Sequence, residues 1–298
     1  MSEKPKPQRY ASWTAGKLPL PELRVMKGRG EKIVMVTAYD APSGRLADAA
    51  GVDLILVGDS SGMVVHGRES TVAVTLDEIV FMTQWVTRGA KRSLVVADMP
   101  FGSYEVSDEQ AVQNAIRLVK DGGADAVKLE RGGTSVSRAR AIVAAGVPVM
   151  GHVGLTPQTA TALGGYRAQG RTAERARQVA DEALALEAAG CFAVVLEAVP
   201  AQVARAITQS LSVPTIGIGA GGDTDGQVLV WHDMLGYYEG NAPRFVKRYA
   251  DLGAVIVDAL ERYAEDVRSG AFPEQQHTYA MPEDELRAFE TTASSPQR

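Results

Sequence analysis

Eight short aliphatic runs punctuate the chain, at 33–37, 54–57, 94–97, 126–129, 147–152, 192–196, 215–219 and 228–231. Most place Val, Ile, Leu or Ala at successive positions instead of alternating them with polar residues. Runs of that length and pattern predict strands buried on both faces, as in a parallel sheet. Longer amphipathic stretches lie between them and predict helices at 43–50, 75–88, 107–122, 136–145, 172–189 and 201–210. Gly51, Gly89, Gly146 and Gly190 follow as stops. Thr75 with Glu78, and Ser107 with Gln110, have capping-box spacing, in which each side chain satisfies a free backbone N–H of the first helical turn. A short helix at 21–27 precedes the first strand, and a helix at about 244–267 follows the last.

Strand and helix thus alternate about eight times without a change of composition, the rhythm of parallel βαβ units. Eight units predict a closed TIM (β/α)8 barrel in a single domain. The expected organisation is an N-terminal arm and short helix at 1–24, the barrel at 25–279 and a polar, unstructured tail at 280–298. The connection at 220–227 is too short for an ordinary crossover helix, so at most one helical turn is expected there.

Composition narrows the class. A chain of 298 residues accommodates one such barrel, which typically takes about 250. The formal net charge of −5, without a basic patch interleaved with aromatics, argues against a nucleic-acid binder. Cys191 is the only cysteine, which excludes an internal disulfide and a cysteine metal cluster; a buried, inert thiol is expected. The first residues lack the apolar core of a secretory signal, and no run of eighteen apolar residues exists. A cytoplasmic protein without a membrane span is expected.

The chemistry is written at the strand ends. Asp59 follows the second run, Asp98 ends the third, Glu130 the fourth, His152 the fifth and Glu197 the sixth. Any one of these acids could simply cap the next helix or neutralise a base. Together they fall where barrel active sites lie, at the C-terminal ends of the strands. Carboxylates without cysteines suit a hard cation such as Mg²⁺, which takes one or two carboxylates directly and keeps waters. Lys128 lies two residues before Glu130 and so shares its strand face; inside a barrel it needs an anionic partner, a substrate carboxylate or a structural acid. The long loop at 153–171 is of a length usually reserved for function. Residues 217–222 formally match G-x-G-x-x-G, but they sit late in the chain with no long helix after them, which rejects a dinucleotide fingerprint. His66, His232 and His277 read as ordinary polar contacts.

These segments resemble the ketopantoate hydroxymethyltransferase family. The matching motifs are TAYD (37–40), LVGDSSGMVVHG (56–67), VTLDE (74–78), ADMPFGSY (97–104), AVKLE (126–130), GHVGLTPQ (151–158), GGYRAQGR (164–171), VLEAVP (195–200), IGIGAG (216–221) and DGQVLVWHD (225–233). The resemblance implies a TIM barrel, often assembled as a homodecamer. It implies transfer of the one-carbon unit of 5,10-methylenetetrahydrofolate to 3-methyl-2-oxobutanoate, on the route to pantothenate. Carried over residue by residue, it puts Mg²⁺ on Asp59, Asp98 and Glu130. It puts the oxoacid on Asp59, Ser60, Asp98 and Lys128, and the general base on Glu197. The chain departs from the family pattern at Ser61 (usually Leu), at Arg131 (usually Gly), and at Met82 and Gln84, in a helix where a His is common. Two rivals stand beside this reading: a Mg²⁺-dependent 2-oxoacid lyase or mutase on the same barrel, and a non-catalytic metabolite-binding barrel.

Overall fold

The computed structural model describes residues 16–131, 134–238, 240 and 243–293; most of the expected N-terminal arm lies outside these. The elements run in the order α1 (Glu22–Gly28), β1 (Ile33–Thr37), α2 (Ala41–Ala50), β2 (Leu54–Val57), α3 (Ser61–Val64), α4 (Leu76–Gly89), β3 (Leu94–Asp98), α5 (Asp108–Lys120), β4 (Ala126–Glu130), α6 (Ser135–Ala144) and β5 (Val149–Gly154). They continue with α7 (Ala173–Ala188), β6 (Ala193–Glu197), α8 (Ala201–Ser210), β7 (Thr215–Ile218), β8 (Gly226–Leu229), α9 (Trp231–Leu235), α10 (Leu252–Ser269) and α11 (Glu283–Ala293). All strands pair in parallel, each with its sequence neighbours, and β8 closes on β1, so the sheet is an eight-stranded barrel. The chain divides into two compact units, 1–249, which contains the barrel, and 250–298.

Strand alternation sorts the side chains into two cores. Leu54, Leu56, Leu94, Val96, Ala126, Met150, Ala193 and Val195 fill the barrel, together with Leu23 and Met26 of α1. The intervening residues, such as Ile55, Val95, Val127, Leu129 and Val194, pack outward against the helices. Burial on both faces explains why the runs read as continuous rather than alternating. The interior parity then carries each strand to its end. Leu94 and Val96 lead to Asp98, Ala126 leads to Lys128 and Glu130, Met150 leads to His152, and Ala193 and Val195 lead to Glu197.

At the opposite rim, aspartates tie strands in pairs. Asp53, just before β2, accepts from Val34 N of β1 (2.9 Å). Asp125, before β4, accepts from Val95 N of β3 (2.7 Å), and Asp225, before β8, from Thr215 N of β7 (2.8 Å).

Local chemistry sets most boundaries. Thr75 and Glu78 form the expected reciprocal capping box at α4. At α5, Ser107 accepts from Gln110 N as expected, but the Gln110 side chain turns to Val106 N instead of Ser107 N. The eighth strand is displaced from the expected 228–231: it spans Gly226–Leu229, and Trp231 opens α9, its N–H donating to Thr37 Oγ1. No helix links β7 to β8 among the described residues, in line with the short connection. In the second unit the helix expected from about 244 begins at Leu252, and α11 forms where an unstructured tail is expected. Within that unit the Phe272 ring sits 5.7 Å from Tyr263 and 5.2 Å from His277. No described helix is long and apolar enough to cross a membrane.

Candidate active site

The barrel mouth holds a cavity of about 1420 Å³ lined by Asp59, Ser60, Asp98, Lys128, Glu130, His152 and Glu197, with Tyr166 and Arg167 from the loop after β5. All six residues that the sequence assigns to metal, substrate and proton transfer therefore share one space. Strand register accounts for the pairing. Asp98 is the β3 neighbour of Lys128, and Glu130 the β4 neighbour of His152.

Lys128 Nζ lies 2.7 Å from Asp98 Oδ1, both side chains being almost completely buried. Asp98 Oδ2 accepts from the backbone N–H of Asp59 (3.0 Å), joining the ends of β2 and β3. Burial, then the charges of Asp98 and Glu130, push the Asp59 carboxyl well above the usual range, against the pull of Lys128 and Gln158. Burial likewise raises Asp98, although Lys128 pulls it down. Burial works against the Lys128 charge, but Asp98, Glu130 and Asp59 outweigh it and hold the ammonium above its ordinary value. One buried lysine thus faces three buried acids, and the excess negative charge is what a divalent cation would relieve. Among the described residues no three His, Cys, Asp or Glu side chains stand as a ready-made cage.

His152 bridges the acid set to Glu197. Its Nε2 lies 3.2 Å from Glu197 Oε2 and its Nδ1 3.5 Å from Glu130 Oε1. Burial and Lys128 oppose its charge, but the two glutamates lift it to about 9. Glu197 is the most open of the strand-end acids, its side chain 15% exposed to the cavity. The residue after it, Ala198, is held at φ 49, a left-handed backbone unusual for a side chain and costly by about 1 kcal/mol or more. Gly154 makes this turn possible: its own φ is 93, and a Cβ there would lie 2.3 Å from the Glu197 carbonyl oxygen. At Gly219 (φ 64) a Cβ would lie 2.5 Å from the Phe245 ring, so this glycine serves close packing at the cavity wall, and the run 217–222 opens no helix.

Some site residues escape the sequence reading. Tyr39 OH and Ser60 Oγ are 2.9 Å apart, so the TAYD segment steadies the serine assigned to the oxoacid. Gln158, in a 3₁₀ turn (Pro157–Thr159) after β5, bonds to Asp59, Glu130 and Tyr104. The length of the 153–171 loop and the GHVGLTPQ motif were the available signals. The departures from the family pattern point elsewhere. Arg131 pairs with Glu182 of α7 (2.6 Å), Gln84 donates to the Asp121 carbonyl, Met82 is buried in the helical layer, and Ser61 is buried at the start of α3.

The sequence profile described as ketopantoate hydroxymethyltransferase matches residues 17–275. A 3-methyl-2-oxobutanoate hydroxymethyltransferase from Moorella thermoacetica is 59% identical over 260 residues, covering 87% of this chain and 97% of that protein. One from Heliobacterium modesticaldum is 54% identical, covering 92% and 99%. Among solved structures, a phosphonopyruvate hydrolase complex with oxalate and Mg²⁺ superposes with a TM-score of 0.55 at 14% identity, covering 92% of this chain and 96% of that one. A 2,3-dimethylmalate lyase of the PEP mutase/isocitrate lyase superfamily gives 0.55 at 17% identity, covering 92% and 99%. At such identities the likeness to these structures is one of fold.

Proposed function

The chain belongs to the ketopantoate hydroxymethyltransferase family, and from that premise we propose that it moves the one-carbon unit of 5,10-methylenetetrahydrofolate onto 3-methyl-2-oxobutanoate, giving 2-dehydropantoate. The observation that carries this reading is the meeting of Asp59, Asp98, Lys128, Glu130 and Glu197 in one cavity at the C-terminal strand ends.

Asp59, Asp98 and Glu130 would hold Mg²⁺. When bound, the ion supplies Lewis-acid stabilisation of negative charge developing on the keto oxygen, worth several kcal/mol. Lys128, already anchored by Asp98, balances the oxoacid carboxylate, and Ser60 and Asp59 line its seat. Glu197 takes the proton from C3. It lines the cavity, and His152 Nε2 stands 3.2 Å from one of its oxygens. Water takes the place of the two folate nitrogens on the methylene carbon, releasing tetrahydrofolate and a formaldehyde-level one-carbon unit; the activated C3 adds to that carbon, and its oxygen, once protonated, is the hydroxyl of 2-dehydropantoate. Assembly into a homo-oligomer, a decamer by the family resemblance, and a cytoplasmic location belong to the same proposal.

The test is an assay with oxoacid, methylenetetrahydrofolate and Mg²⁺, each omitted in turn; product should require all three. Product without the folate would favour the lyase or mutase alternative, and no turnover with any oxoacid the non-catalytic one. Asp98→Ala should fold and lose Mg²⁺-dependent turnover. Glu197→Gln should still bind oxoacid but stop exchanging its C3 proton in deuterated water; continued exchange assigns the base elsewhere.

A further inference from the structure

Gln158 is nearly buried in a loop that supplies no proposed ligand, yet every polar group of its side chain is used at the acid cluster. Its Nε2 donates to Asp59 Oδ2 (2.8 Å) and to the Met99 carbonyl (2.9 Å). Its Oε1 accepts from Tyr104 OH (2.6 Å). Its backbone N–H donates to Glu130 Oε2 (3.0 Å). The amide has only one acceptable orientation, because the reverse would set its oxygen against a carboxylate and a carbonyl. Tyr104 is itself buried, and its hydroxyl also accepts from Glu130 N (3.3 Å).

We propose that Gln158 is the positioning residue of the cation site: by gripping one oxygen of Asp59 and one of Glu130 it sets where their other oxygens point. The inference rests on the cation reading above. It differs from a packing role in its physical content. A hydrogen bond to one oxygen restrains rotation of the carboxyl about its terminal bond, so two acids from different parts of the chain each have one oxygen fixed before any ion arrives. Such supporting partners typically govern metal affinity by 10- to 100-fold.

Gln158→Met keeps the length and unbranched shape of the side chain and removes the amide that holds Asp59, while the backbone N–H on Glu130 stays in place. Mn²⁺ is the probe, with the free ion counted by electron paramagnetic resonance during titration of the full chain without substrate. The wild-type protein should bind about one Mn²⁺, and Gln158→Met should bind it 10- to 100-fold more weakly while its circular dichroism is unchanged. A purely structural role would lower the melting temperature and leave the affinity alone; affinity within twofold of wild type overturns the proposal. Should Gln158→Met not fold, Tyr104→Phe decides. Loss of the hydroxyl that anchors Oε1 should weaken Mn²⁺ several-fold, and unaltered affinity there is equally fatal. Failure of the wild-type protein to bind Mn²⁺ would instead remove the cation site, and the role of Gln158 with it.

Discussion

Asp59 lies buried beside Asp98 and Glu130, while the one nearby lysine is committed to Asp98. Its raised carboxyl means that, without a cation, its negative charge opposes folding at neutral pH. Asp59→Asn keeps the shape and an oxygen for Gln158 but removes the repulsion. We expect it to stabilise the metal-free protein at pH 7, by roughly 0.5–2 kcal/mol in urea unfolding, while destroying turnover. A loss of stability would mean that the acids are not in conflict. The same residue marks how far a linear reading reaches. Asp59 could be found because it follows a strand end by two residues, and Asp98, Glu130 and Glu197 because they close theirs. Gln158 is marked only by its place in the GHVGLTPQ motif and the long loop; its role is not legible there, because it sits at no strand end and its bonds to Asp59, Tyr104 and Glu130 exist only in the folded barrel.

The elements follow local rules wherever local chemistry decides. At the start of α4, Arg68 holds the Glu78 carboxyl down at about 2, against a modest burial cost, with the Thr75 N–H and hydroxyl assisting. A depressed acid stabilises the fold above its unfolded value, and that contribution is lost as pH falls through the folded one. Glu78→Gln should therefore lower the melting temperature at pH 7, and the gap from wild type should narrow from about pH 4.5 downward, toward 2. A gap that stayed constant with pH would show that the charge is irrelevant. Elements depart from the sequence pattern where tertiary demands intervene. The fifth strand begins at Val149, not 147, because Pro148 has no N–H for the ladder. The eighth ends before Trp231, whose N–H is taken by Thr37. α11 was legible after all: Glu283, Asp284 and Glu285 crowd its first turn, where the helix dipole favours acids, but an acidic composition hid the signal.

For the molecule as a whole, the acid-lined mouth couples chemistry to stability. A ligand that binds only the folded state adds about 2.7 kcal/mol at a hundred times its dissociation constant. For a chain of 298 residues that corresponds to a rise of roughly 4 °C in melting temperature. Saturating Mg²⁺ should produce such a rise in the wild type and none in Asp98→Ala; equal shifts in both would place the ion elsewhere. The aspartates beneath β2, β4 and β8 point to a further consequence. They fasten strand pairs at the end of the barrel away from the acids, so the frame is tied without help from any residue that meets substrate. The two rims therefore answer to different selection. Libraries built in the loops after the strands can retune which molecules enter, while the stitched rim tolerates little change and has no need of it when the reaction drifts.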